Sequence, residues 1–321
     1  MIVKGLGYFD IRRAREAYAS GQNITASLRE QKGVQSNSPE ILEIAYDLQA
    51  GSYIDYVKNN SERSSAYCSQ LAGVLGSYVT QSSSLLDVGT GEFTTISQVV
   101  TRLPQMPKEV FAFDISWSRI YKGVQHARQL IGQEFSRFHP FVAEIGEIPL
   151  PDKSVSITTS NHALEPNGGR LTELLAELFR VTSETVILFE PCYEINSAEG
   201  KRRMDALGYI KNIDGTVENL GGRVLEKIKI DNPINPLNPT VAFVIQPKSP
   251  NSNDSSSSFA SKHTAFSVPG TSMPLENIEG FLFSIDVGLS YPILKGIPVL
   301  RSNLAILSTS LTEVLGAAQR A

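Results

Sequence analysis

The sequence predicts an α/β protein built on a doubly wound, mostly parallel sheet, and three observations predict it. From Ser84 onward, short apolar runs alternate with segments whose apolar residues recur at helical spacing. The run Leu85–Val88 leads into a loop with glycines at 89 and 91, and a helical pattern follows. The run at 185–189 is apolar throughout, which is typical of a strand buried on both faces. Alternating elements of this kind form a parallel sheet covered by helices.

Length and composition bound the fold and disfavour several classes of protein. The chain has 321 residues, of which 41% are hydrophobic and 19% charged, so about two domains with a real core are expected. A net charge of −4 without a long basic cluster disfavours a nucleic-acid partner. No leader-like apolar segment occurs, and no apolar run approaches the ~20 residues of a membrane span. Cys68 and Cys192 form no disulfide framework or metal-ligand pair, so a cytoplasmic location is expected.

The first 60 residues are expected to form a helical cap or lid. Ser38 before Pro39 is a good helix start, with a capping hydroxyl and Pro at the first helical position. Tyr46 and Tyr53 flank Gly51, a composition that suits a segment covering a ligand. The alternative is that both rings are ordinary packing residues.

The sheet domain is predicted at 61–248. Its strands are expected at 85–88, 110–113, 138–143, 155–160, 185–189, 223–230 and 240–246, and the last two are expected to be antiparallel. Residues 249–262 are rich in Ser and predict a flexible linker. Residues 263–321 then form a small β-rich appendage.

The loop after the first strand carries the most informative motif. Asp87-Val88-Gly89-Thr90-Gly91 resembles motif I, D-x-G-x-G, of class I S-adenosylmethionine (SAM)-dependent methyltransferases. A nicotinamide-binding loop would have a third Gly at the position of Thr94. Phe93 departs from the methyltransferase pattern, which often has Gly there. The resemblance covers about residues 40–248 and implies a Rossmann-like, seven-stranded sheet with an antiparallel end.

The resemblance also implies a set of cofactor-binding residues. Asp87 would help to hold the amino-acid end of SAM, Asp114 would accept the ribose hydroxyls, and Glu144 with Ile145 would meet the adenine. The segment 148–152, Ile-Pro-Leu-Pro-Asp, supports this match. The full implied set is Tyr46, Tyr53, Asp87, Gly89, Thr90, Gly91, Asp114, Ile115, Glu144, Ile145 and Asn161.

The segment 160–166, Ser-Asn-His-Ala-Leu-Glu-Pro, resembles the family's S-x-x-x-L-E-H stretch, with Pro166 where His is usual. Residues here follow a strand, where ligands bind in such sheets. His162 is therefore the first candidate for a catalytic base, and Glu165 the second. Structural roles for both side chains stay open.

The tail resembles the end of a zinc-ribbon domain, through Leu289–Leu300. The positions of the four ribbon ligands are occupied by Val268, Thr271, Ser284 and Val287. Because none of these is a thiolate, no zinc is expected, and an apolar core is expected instead. Its members would be Phe266, Leu282, Phe283 and Ile285. A plain β-hairpin is the alternative.

Together these patterns predict a SAM-dependent methyltransferase that releases S-adenosylhomocysteine (SAH). Its acceptor would be small or soluble and methylated at oxygen, a sugar or another biosynthetic intermediate among the options. Metal is not expected, and homo-oligomerisation is left open. A catalytically silent SAM-fold binding or scaffold protein is the alternative, motivated by Phe93 and the missing ribbon cysteines.

Overall fold

The computed structural model describes residues 9–231, 233–248, 265–278 and 280–311. The described helices are α1 Ile11–Ala19, α2 Ile24–Lys32, α3 Pro39–Leu48, α4 Ser52–Asn59, α5 Ser61–Leu75, α6 Ile96–Val100, α7 Trp117–Ile131, α8 Leu171–Val181, α9 Ala198–Leu207 and α10 Ile213–Asn219. The described strands are β1 Ser84–Val88, β2 Glu109–Asp114, β3 Phe138–Val142, β4 Val155–Asn161, β5 Thr182–Pro191, β6 Arg223–Lys229, β7 Thr240–Gln246, β8 Glu276–Ile278, β9 Phe281–Ser284, β10 Leu289–Leu294, β11 Ile297–Pro298 and β12 Ile306–Leu307.

The main sheet has seven strands in the order β3-β2-β1-β4-β5-β7-β6. The first five run parallel, and β7 pairs antiparallel with both β5 and β6. Strands β1, β2 and β5 are apolar along most of their length and buried on both faces, because helices cover both sides. The predicted fold class is therefore confirmed, including the antiparallel end. Strand β5 is longer than predicted.

Helices α1–α4 form the predicted N-terminal cap. Helix α3 starts as expected, since the Ser38 hydroxyl accepts a hydrogen bond from the Ile41 amide and Pro39 occupies the first turn. The first three helices share a small core around Leu28 and Ile41. Helix α3 also packs against α7, which brings the cap over the carboxyl ends of β1 and β2.

The tail packs onto the edge of the main sheet beside β3. Val299 bridges to Val142, and the Leu300 amide donates to the Val142 carbonyl at 2.8 Å. The Phe266 ring lies against Phe141, with centroids 5.1 Å apart. Tail residues join the core of the main sheet rather than forming a separate one; they include Val268, Leu275, Leu282, Tyr291 and Leu300.

Three remaining sequence predictions concern the tail and the linker. The linker 249–262 lies outside the described residues. Phe266, Leu282 and Phe283 do contribute apolar packing, and the four ribbon-ligand positions lie within the described tail. Across the described ranges, no three His, Cys, Asp or Glu side chains are grouped so as to hold a metal ion.

None of the described helices is long and apolar enough to cross a membrane.

Candidate functional site

A cavity of about 520 Å³ opens at the carboxyl ends of the parallel strands. This is where ligands bind in doubly wound sheets, and the volume suits a small molecule. The cavity brings together ten of the predicted site residues. They are Tyr46, Tyr53, Gly89, Asp114, Ile115, Glu144, Ile145, Asn161, His162 and Glu165.

The glycine loop after β1 forms the floor. Gly89 and Gly91 both have left-handed φ values, 66° and 57°, which other residues adopt only at a cost. A Cβ on Gly89 would lie 2.3 Å from the Ala163 Cβ, so no side chain fits there. Phe93 also has a left-handed φ, 60°, at the position where the family often has Gly. The loop therefore keeps the glycine-type backbone despite the substitution.

Asp114 ends β2 and is almost fully buried on the cavity wall. Its Oδ1 accepts from the Ser116 amide at 2.9 Å, and its Oδ2 accepts from the Gly91 amide at 3.1 Å. The Arg119 guanidinium also reaches Oδ2, at 3.5 Å. A carboxylate has about four lone-pair sites, so one site on Oδ1 remains for a ligand hydroxyl.

Arg119 links the glycine loop to the cap. Its guanidinium lies against Gly91, and its Nε is 3.8 Å from Glu92. On the other side it stacks on the rings of Tyr46 and Tyr53, at 5.1 and 4.6 Å from their centroids. The cap therefore contacts Asp114 through one buried cation.

Glu92 anchors the cap from below. This carboxylate is fully buried and accepts the amides of Gly51 and Ile54, both at 2.9 Å. These are the first free N–H groups of α4, where a negative charge is favoured. Asp47 makes the reverse contact, since its carboxylate accepts from the Ser116 hydroxyl at 2.8 Å. Tyr46 and Tyr53 are held over the cavity by these two carboxylates.

Glu144 and Ile145 follow β3 on the same side of the cavity. Glu144 accepts from the Gly146 amide at 2.8 Å and from Arg170 at 3.0 Å. Arg170 also pairs with Glu173, so the guanidinium is shared between two acids. Glu144 is thus oriented before any ligand arrives.

Asn161, at the end of β4, lines the cavity between the side that carries Asp114 and the side that carries Glu165. Its Oδ1 accepts from the Tyr67 hydroxyl at 2.7 Å. Tyr67 is buried and comes from α5, so this helix fixes the amide of Asn161.

His162 follows directly and has a left-handed φ of 57°. Its Nδ1 lies 2.7 Å from Glu165 Oε2, and its Nε2 lies 2.9 Å from the Thr240 hydroxyl. Burial lowers the pKa of His162, but the Glu165 and Glu190 carboxylates together outweigh burial, so the pKa is raised above its ordinary value. Backbone strain of this kind gathers at functional positions.

Glu190 holds the His162 turn in place. This buried carboxylate accepts the amides of Ala163, Leu164 and Glu165 as well as the Ser160 hydroxyl. Burial raises its pKa to about 7. Glu190 lies beneath the turn and does not line the cavity.

Three predicted cofactor residues are not on the cavity wall. Asp87, Thr90 and Gly91 lie just below it, in the buried part of the loop. Burial raises the pKa of Asp87 to about 7, with the neighbouring Asp114 adding to the effect. Asp87 therefore contributes to the loop in this structure, and direct contact with a ligand stays a prediction.

Sequence reasoning missed several wall residues. In the sequence, no motif marks Arg119, Arg203 or Tyr209 as part of a site. Tyr67 belongs to the apolar face that is predicted for its helix. Arg119 had one available signal, because it lies five residues after Asp114, in the first turn of α7.

No protein-family model and no curated protein sequence matches the chain. Solved structures similar to it include a geranyl diphosphate C-methyltransferase from Streptomyces coelicolor A3(2), at 13% identity and a TM-score of 0.44, covering 56% of this chain and 80% of that one. A magnesium protoporphyrin IX methyltransferase from Synechocystis PCC 6803 has 9% identity and a TM-score of 0.43, with 74% and 100% covered.

A third similar structure is a chain of the complex between the Haloferax volcanii Trm112 methyltransferase activator and a methyltransferase. It has 14% identity and a TM-score of 0.48, with 62% of this chain and 96% of that chain covered. Similarity at these values carries no activity across, so function is argued from the cavity. By its own strand order and strand directions, the chain has the Rossmann-like, seven-stranded sheet with an antiparallel end that its motifs imply.

Proposed function

We propose that this chain is a cytoplasmic SAM-dependent methyltransferase that methylates a small acceptor at oxygen. One observation carries the proposal. A single cavity joins the glycine loop and Asp114 on one side to His162 and Glu165 on the other. The two free cysteines are buried and unpaired, which fits a reducing compartment.

The wall residues fit the parts of SAM, which when bound supplies an electrophilic methyl group. Gly89 lines the cavity with backbone alone, so the amino-acid end of SAM can lie against it. Asp114 has one free acceptor site for a ribose hydroxyl, while Ile115 and Ile145 offer apolar contacts for the adenine. Tyr46 and Tyr53 line the cavity from the cap, and because Tyr53 is still 44% exposed, the exclusion of water requires the cap to close over bound SAM.

His162 and Glu165 form the proposed acid–base couple. An attacking hydroxyl must lose its proton, and the imidazole takes it while Glu165 stabilises the resulting cation. Both ring nitrogens are engaged in the present arrangement, so proton transfer requires the Thr240 contact to break. Sugars and other hydroxyl-bearing biosynthetic intermediates are the acceptor classes to screen first.

The catalytically silent alternative has one specific observation in its favour. Asp114 is already bound by two amides and by Arg119, which leaves little capacity for a ribose. Calorimetry with SAM, SAH and NAD tests whether the chain binds the cofactor that the methyltransferase proposal requires. We expect SAM and SAH to bind, and tight NAD binding without SAM binding would refute the cofactor assignment.

The acid–base couple is tested by turnover once an acceptor is found. His162→Ala should lower turnover by roughly a hundredfold to ten-thousandfold while SAH affinity stays near wild type. Glu165→Gln removes the charge that raises the pKa of His162, so the acidic limb of the pH profile should move to lower pH. His139→Ala is the matched control, because His139 lies outside the cavity. Unchanged turnover in His162→Ala would show that His162 has a structural role and is not the catalytic base.

A further inference from the structure

One cation on the cavity wall has no carboxylate partner among the described residues. Three acids on the wall each have a basic partner within ion-pair distance. The pairs are Asp114–Arg119, Glu144–Arg170 and Glu165–His162, at 3.5, 3.0 and 2.7 Å. Arg203 is also on the wall, and within the ranges that the structure describes it forms no ion pair with a carboxylate.

The Arg203 guanidinium is nevertheless held in position. It projects from α9 and donates from Nη1 to the Asn238 side-chain carbonyl. It also lies over the Tyr209 ring, 5.6 Å from the centroid. Asn238 in turn donates to Glu165 at 3.4 Å. A guanidinium has five N–H donors in a fixed plane, so most of them remain available to a ligand.

The position of Arg203 assigns it to the acceptor side. The predicted cofactor residues Asp114 and Glu144 end β2 and follow β3, on one half of the sheet. Arg203 is connected through Asn238 to Glu165, beyond β4, on the other half. Adjacent strands are ≈ 4.8 Å apart, so these halves are separated by several strand widths.

We propose that Arg203 binds an anionic group of the methyl acceptor, a carboxylate or a phosphate, while the acceptor's hydroxyl faces His162 and Glu165. This inference rests on the proposed function and specifies its substrate class. Guanidinium planes match carboxylate and phosphate oxygens in two parallel hydrogen bonds. The wall also carries Pro39 and Leu42 of α3, which offer apolar contacts to a hydrocarbon body of the acceptor.

The experiment measures charge preference on the SAH-loaded protein by ligand-observed NMR and calorimetry. The probes are inorganic phosphate and pairs of hydroxy acids with their amides, such as 4-hydroxybenzoate with 4-hydroxybenzamide and 3-hydroxybutyrate with 3-hydroxybutyramide. We expect anions to bind more tightly than their neutral partners, and Arg203→Gln to weaken the anions by roughly tenfold to a hundredfold, the effect of one charged hydrogen bond. Phosphate binding more tightly than the carboxylates would assign the phosphate class.

The matched control is Arg202→Gln, because Arg202 is the exposed neighbour on the same helix and does not line the cavity. It should keep the wild-type preference. Equal binding of acids and amides, no anion binding up to the solubility limit, or equal losses in both variants would overturn the proposal. It is also overturned if Arg203→Gln weakens SAH and leaves the acids unchanged, since Arg203 would then serve the cofactor.

The proposed function can fail separately. If wild-type protein does not bind SAH, the methyltransferase assignment fails, and the same probes are applied to the unliganded protein. An Arg203-dependent preference for anions would then still identify an anion-binding cavity.

Discussion

Replacing Arg119 with Met tests whether the buried Arg119 guanidinium couples the cap to the proposed cofactor site. The guanidinium lies within 4 Å of two buried carboxylates, Asp114 at 3.5 Å and Glu92 at 3.8 Å. Methionine keeps much of the apolar stem and removes the charge. Removing one partner of a buried ion pair costs about 3–5 kcal/mol.

The lower end of that range applies here, because both carboxylates keep hydrogen bonds from the backbone. Asp114 retains two amides, and Glu92 retains the amides of Gly51 and Ile54. We therefore expect Arg119→Met to lower the free energy of unfolding by about 3 kcal/mol, measured by urea denaturation. Loss of stacking on Tyr46 and Tyr53 should also speed proteolysis of residues 46–59 and weaken SAH binding.

Two variants control for charge and for ring contact. Arg119→Lys keeps the charge without the planar group, so its loss of stability should be smaller. Arg128→Met removes another α7 cation, which stacks on Phe135 at 5.3 Å but forms no ion pair in the described part of the chain. Arg119→Met within about 1 kcal/mol of wild type, with unchanged cleavage, would refute the coupling. Tighter SAH binding in this variant would mean that Arg119 competes with the ribose for Asp114.

Three further predictions follow from named contacts. Asp114→Ala should weaken SAM binding by about tenfold to a hundredfold, the loss of roughly 1.5–3 kcal/mol for a charged hydrogen bond, and unchanged calorimetry would count against the ribose role. Arg301 in the tail forms a buried ion pair with Glu43 of α3, so Arg301→Met should lower the free energy of unfolding by about 3 kcal/mol, with partial recovery on adding Glu43→Gln. Purified protein should contain no stoichiometric zinc, and one zinc per chain by metal analysis would show that the tail binds metal.

Local patterns were enough to predict the sheet and much of the cavity wall. The acid and glycines of 87–91 define a strand end and a tight turn, and those are properties of neighbouring residues. Asp114 and Glu144 are predicted from the resemblance to class I methyltransferases, at positions where each ends or follows an apolar run. The carboxyl ends of parallel strands meet at one edge, so sequence position translates directly into location in the sheet.

The residues that hold the site could not be predicted in the same way. In the sequence, Glu92 is only an acid next to a glycine. Its hydrogen-bond donors at the start of α4 lie about forty positions earlier in the chain. Arg301 and Glu43 come from opposite ends of the sequence. Arg203 becomes informative only when its contacts are known, since its significance is that it forms no ion pair with a carboxylate in the described part of the chain. Such contacts depend on tertiary packing, which periodicity does not encode.

Phe93 is one of the two sequence features that motivate a catalytically silent protein. The packing around Phe93 explains how the loop accommodates it. A left-handed φ in a residue other than glycine costs about 1–3 kcal/mol. The Phe93 ring is fully buried, with Phe135 and Phe138 both at 6.3 Å between centroids. Burying a Phe side chain contributes about 1.5–3 kcal/mol, comparable with the strain, so the loop can keep its glycine-type shape. Gly123 makes this possible, because a Cβ there would lie 2.7 Å from the ring. The departure from the motif is therefore compensated by packing behind the loop, and the cavity in front of it keeps its bare backbone.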